Sequence, residues 1–123
     1  MSILGAFNNV LINFIEDCIL VFPEENDFKV YKKGLEFVIK YNPKKGLTIF
    51  DEYSKLYRQK IMDKNEEFFM ENKYEDITKY NDPEIFTIIN KIKVYWKLLD
   101  TNNKEKIWDY LGLLIKLRDK YYA

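Results

Sequence analysis

Two neighbouring acids, Glu16 and Asp17, stand in the most apolar stretch of this 123-residue chain, Ala6–Asp27. A carboxyl buried among aliphatic side chains has a raised pKa and is suited to moving a proton. Consecutive helical positions point about 100° apart, however, so these two do not converge as a dyad. Most carboxylates stay in water, and the plainer reading sets the pair on the polar margin of its helix. Cys18 follows directly, with no basic residue near it in sequence to draw off its proton. It reads as a small buried hydrophobe.

The sequence contains no histidine, which removes the usual general base and the commonest metal ligand. One cysteine supports neither a thiolate zinc site nor a Cys–His nucleophile. The four glycines are scattered and form no phosphate loop, and no spacing of acids matches a calcium loop. No catalytic, metal or cofactor-binding residue is expected, and the chain reads as a non-enzyme.

Charge and aromatic content carry more. The total charge is zero, but it is segregated along the chain. Residues 1–27 hold five acids and no base, 28–62 nine bases and three acids, 63–84 three bases and eight acids, and 85–123 eight bases and four acids. Lys32, Lys33, Lys40, Lys44 and Lys45, then Lys91, Lys93 and Lys97, with Tyr31, Tyr41 and Tyr95 among them, have the make-up of a nucleic-acid footprint: cations for phosphates and rings for stacking. Against that stand the scarcity of Arg, the residue of bidentate phosphate and base contacts, and an isoelectric point near 6.3. Solvated helix faces are the plainer account of these lysines. Ten Tyr, nine Phe and two Trp exceed what a core of this size encloses. Tyr41, Tyr74, Tyr80, Tyr110, Tyr121 and Tyr122 are the candidates for a protein interface, a setting in which Tyr is enriched. The acidic and basic blocks also suit pairing with a partner or with a second copy.

Helices must position all of these residues. Phe7, Val10, Leu11, Phe14, Cys18 and Ile19 recur at helical spacing and predict a first helix from about Ser2 to Val21, capped by Ser2 and stopped by Pro23. A second helix is expected from Asn26 or Asp27, with Phe28, Tyr31, Leu35 and Val38 inward and Gly34 marking a close contact or a bend. Asn42-Pro43 ends the second helix and opens a third, with Leu47, Phe50, Tyr53 or Ser54, Tyr57 and Ile61 as its stripe. A short helix over Asn65–Glu71 turns Phe68 and Phe69 inward, and one further turn is placed near Tyr74–Ile77. Asp82-Pro83 opens a helix to Leu99, along whose face Ile85, Ile88, Ile89, Ile92, Tyr95 and Trp96 lie. Asn102 with Glu105 resembles a capping box for the last helix. That helix carries Ile107, Trp108, Leu111, Leu114, Ile115 and Arg118, and Gly112 leaves room for a neighbour. No segment of strand period is long enough to trust.

The expected fold is therefore all-α: a single compact bundle of five to six helices over residues 1–123, with no significant sheet. The polar residues within Ile3–Phe22, with Glu16 and Asp17 among them, argue against a membrane span, because each charge at a bilayer centre costs about 2.5–3.5 kcal/mol. Nothing near Met1 reads as a secretory leader. The chain is expected inside the cell.

Three segments together, FNNVLINFIEDCILVFPEENDFKVY, NEEFFMENKY and NNKEKIWDYLGLL, resemble a family of uncharacterised small helical proteins of nucleocytoplasmic large DNA viruses, the giant viruses. The resemblance covers most of the chain and implies a setting: a virion, or the cytoplasm or nucleus of an infected host. It implies no site residues. The function expected is that of a non-enzymatic helical interaction or assembly protein, in that setting a viral structural component. The alternative is a nucleic-acid-associated factor acting through the lysine-rich helices.

Overall fold

Ser2 opens the first helix, α1 (Ile3–Val21), by accepting a hydrogen bond from the Gly5 amide at 2.9 Å. The structure, a computed structural model, describes residues 2–72 and 83–123. Those residues form six helices and no strand: after α1 come α2 (Asn26–Tyr41), α3 (Lys45–Met62), α4 (Glu66–Glu71), α5 (Pro83–Trp96) and α6 (Thr101–Tyr121). The all-α class follows from the 3.6-residue spacing of apolar positions. The turn expected near Tyr74–Ile77, the Asp82 cap and the Ile85 side chain lie outside the described residues.

Helix ends differ from expectation in four places. The Asn42-Pro43 pair closes α2, as expected, but does not open α3. The residue before a proline is driven out of the helical region, and Asn42 sits at φ −149°, ψ 75°, its amide on the Val38 carbonyl at 2.7 Å. Its own carbonyl then accepts from Lys45 at 3.0 Å, so α3 starts two residues beyond Pro43. α5 stops at Trp96, where Leu98 and Leu99 turn back onto the Tyr95 and Trp96 carbonyls. Asp100, not Asn102, caps α6: its carboxylate accepts from the Asn103 amide at 2.8 Å. α2 begins with Glu25 at its cap position and no side-chain bond there, leaving Asp27 in the positive first turn.

The chain divides into two compact units, Met1–Leu56 with Tyr110–Ala123, and Tyr57–Asp109. In the first, Phe7, Val10, Leu47 and Leu114 form the core, with Leu4, Leu11, Phe50, Leu117 and Tyr121 packed around them. The Phe7 ring meets Phe50 edge-on at 5.5 Å. Ile15, Phe28 and Ile115 are also buried. Of the core residues expected on α1, Phe7 and Val10 are buried, while Leu11, Phe14, Cys18 and Ile19 are half-buried. Asn8 is buried beside Phe7, and its amide nitrogen donates to the Pro43 carbonyl at 2.9 Å. That bond ties the helix to the loop after α2.

The core of the second unit is aromatic. Trp96 and Trp108 meet edge-to-face at 5.6 Å, Phe69 lies 5.8 Å from Trp108, and Tyr57 contacts both Phe68 and Phe69. Phe68 and Phe69 turn inward as expected, because Asn65 caps the short α4 by accepting from the Phe68 amide at 3.0 Å. Glu66 accepts from the Trp96 indole at 2.5 Å and from Lys104 at 3.0 Å. Lys64 joins α3 to α4 at a left-handed φ of 52° and pairs with Glu105 at 2.8 Å.

Candidate interaction surface

The acids of α1 part company. Glu16 is exposed and reaches Lys32 at 3.4 Å. Asp17 is half-buried and accepts a short hydrogen bond from the Tyr110 hydroxyl. Burial, and then that bond to the carboxylate, push the Tyr110 phenol up to about 12. Cys18 is half-buried, and burial, reinforced by the neighbouring Asp17 charge, raises its thiol to about 11. The Asp17–Tyr110 bond ties α1 to α6, the Glu16–Lys32 pair ties α1 to α2, and burial keeps the thiol protonated. They do not assemble a proton-transfer pair. Among the described residues no group of three or more Cys, Asp or Glu converges as a metal site.

Of the six tyrosines singled out, Tyr110 is not an exposed interface residue. Its ring packs edge-on against Phe14 at 5.3 Å and its hydroxyl is engaged by Asp17. Tyr121 packs onto the first unit's core, with Lys44 over its ring at 5.6 Å. Tyr41 and Tyr122 are exposed, and Arg118 lies 4.9 Å from the Tyr122 ring. Tyr74 and Tyr80 lie outside the described residues.

The eight lysines separate in a similar way. Lys32 is engaged by Glu16, whereas Lys33, Lys40, Lys44 and Lys45 are exposed. Lys93 donates to the Asn72 carbonyl at 2.7 Å, and Lys91 is half-buried and also engaged. Lys97 is exposed. The first five belong to one unit and the last three to the other.

The structure adds a feature on α2. Its inner face carries Phe28, which is buried, with Tyr31, Leu35 and Val38 half-buried as expected. Its outer face is also apolar: Val30 and Phe37 are each 63% exposed and Tyr41 66%. With Gly34 these positions fall within an arc of about 60° at 100° per residue. No neighbouring side chain lies within 4 Å of where a Gly34 side chain would stand, so it does not mark the close contact expected of it. The Phe37 and Tyr41 rings meet at a tilt of 48°, with centroids 4.7 Å apart. Lys29, Lys33 and Lys40 line one edge of the stripe, all exposed, and Lys40 lies 5.4 Å from the Tyr41 ring. Positions 30, 34, 37 and 41 are separated by four, three and four residues, a second periodicity laid over the inner one. That spacing was the signal in the sequence, and the inner stripe obscured it.

No family model, no curated protein and no solved structure matches this chain.

Proposed function

We propose that this chain is a non-enzymatic helical interaction or assembly protein that engages another protein through the outer face of α2. The observation that carries this reading is the Val30–Gly34–Phe37–Tyr41 stripe. Large apolar side chains left in water along one face of a helix, rimmed by charge, are the usual mark of a docking surface. The divergence of Glu16 and Asp17, and a sequence without histidine, support a role without chemistry. The setting we propose, a virion or an infected host cell, rests on the sequence resemblance alone.

The test is affinity purification from the native source beside sedimentation of the purified chain, each with wild type and Phe37→Asp. The expected result is a partner or a self-assembled species that is lost in the variant at unchanged melting temperature. A strict monomer with no co-purifying protein overturns the reading.

A second reading, nucleic-acid association, is favoured by the exposed Lys33, Lys40, Lys44 and Lys45, with Lys40 over the Tyr41 ring and Lys44 over that of Tyr121. It requires a salt-dependent mobility shift abolished by Lys33→Glu with Lys40→Glu. Absence of binding at low salt removes it.

A further inference from the structure

We infer that the outer face of α2 receives a single amphipathic helix of another protein, one that presents an apolar seam with acidic residues along the edge facing Lys29, Lys33 and Lys40. This rests on the interaction reading above and names the chemistry of the partner. Three observations carry it.

The first is spacing. Positions 30, 34, 37 and 41 follow the alternation of four and three residues that sets the a and d positions of a helix–helix seam. A partner helix laid along it meets an apolar position at every turn over about 17 Å.

The second is shape. Gly34 interrupts the stripe between Val30 and Phe37 with a position that carries no side chain and faces open space. One large partner side chain can approach the α2 backbone there.

The third is charge. Lys29, Lys33 and Lys40 stand on one edge only. Lys29 and Lys33 have no ion-pair partner among the described residues. The other edge carries Asp27 in the first turn, with the half-buried Tyr31 and Val38 beyond it. A second copy of this chain does not complement that edge: laid antiparallel it sets Lys33 and Lys40 against the same lysines, and laid parallel it sets them against Tyr31 and Val38. A lipid surface is the poorer match too, because membrane-surface helices carry basic residues along the whole polar face. Here the far edge begins at an acid, and Glu36 stands behind the lysines.

The experiment uses the full chain and two labelled synthetic helices of about three heptads. They share one Leu seam and differ only in carrying Glu or Lys at the flanking positions, and binding is read by fluorescence anisotropy. The acid-flanked helix is expected to bind, and the base-flanked one at least about tenfold more weakly, with the difference shrinking as salt rises. Phe37→Asp removes binding with an unchanged thermal melt. Gly34→Phe places a ring where the partner approaches the backbone and weakens binding about tenfold without loss of helix stability. The triple variant Lys29→Glu, Lys33→Glu, Lys40→Glu reverses the preference between the two peptides.

Equal affinity for both peptides, binding to neither, or charge reversal without effect overturns the inference. So does binding to phosphatidylserine vesicles that Phe37→Asp abolishes while neither peptide binds. A native partner lost on Phe37→Asp, together with peptides that show no charge preference, sinks this inference and leaves the interaction reading standing.

Discussion

Tyr110 shows what a single residue contributes and how far the sequence exposes it. Its ring covers Phe14 and its hydroxyl donates to Asp17, 93 positions away in sequence. Tyr110→Phe keeps the ring and removes the donor, leaving a half-buried carboxylate short of a partner. The expected cost is about 1–2 kcal/mol, read as a lower urea midpoint at neutral pH with the denaturant slope unchanged. No loss of midpoint would mean that water replaces the hydroxyl at no cost. The sequence makes both side chains visible but cannot pair them, because an exposed Tyr and a hydrogen-bonded one leave the same pattern along the chain. Asn8 is the converse. Flanked by Phe7 and Asn9, it reads as part of a polar margin, yet it is buried and bound to Pro43. Phe7, Val10, Leu47, Trp108, Leu114 and Ile115 were legible because large apolar side chains have one favourable place to go.

At the scale of the element, periodicity located every described helix, and end chemistry decided the boundaries. Asx-Pro pairs are ambiguous: the same two residues stop one helix and start the next, and Asn42-Pro43 does the first. The choice between caps for α6 is open in sequence as well, since Asp100 and Asn102 are both suited. Asp100→Ala is expected to cost about 1 kcal/mol, and Asn102→Ala to change the melting temperature little, because Asp100 holds the Asn103 amide. The reverse ranking would move the cap.

The glycines separate in the same way. At Gly34 a methyl group meets nothing, so Gly34→Ala gains the helix propensity of alanine, about 0.5–1 kcal/mol. At Gly46 the methyl would stand 3.1 Å from Leu11 Cδ1, so part of that gain is spent moving Leu11. Gly46→Ala is therefore expected to raise the melting temperature less than Gly34→Ala. An equal or larger rise at Gly46 would show that Leu11 yields freely. The sequence marks Gly34 and Gly112 as likelier contacts than Gly46, because spacing tells where a glycine sits on a helix and not what faces it.

Over the whole molecule, the missing histidine and the shifted groups together set the pH profile. A side-chain charge change between pH 5 and 8 is normally the work of histidine, and this sequence has none. On the acid side, burial pushes the Asp51 carboxyl up, but hydrogen bonds from Arg118 at 2.5 Å and from Lys55 outweigh it and hold the group below its ordinary 3.8. The Trp96 indole, and then Lys104, hold Glu66 below 4.5. A depressed carboxyl adds stability that is complete above its unfolded value and is lost as pH falls through the folded one. Both contributions are therefore intact above about pH 5 and disappear on acidification.

On the alkaline side, burial raises Cys18 from 9.0 to about 11 and Tyr110 from 10.0 to about 12. A raised acid adds stability that is complete below its unfolded value and is lost as pH rises through the folded one, so this limb falls between about pH 9 and 12. Urea midpoints taken at constant ionic strength should form a plateau from about pH 5.5 to 8.5 with a shoulder on either side. Tyr110→Phe should reduce the alkaline shoulder to the part due to Cys18, and Asp51→Asn with Glu66→Gln should flatten the acid one. A steep slope inside the plateau, or shoulders untouched by these substitutions, would mean that other groups govern the profile. Solubility follows a different rule: it is lowest near the isoelectric point of about 6.3, where net charge vanishes. The plateau therefore places greatest stability and least solubility at overlapping pH.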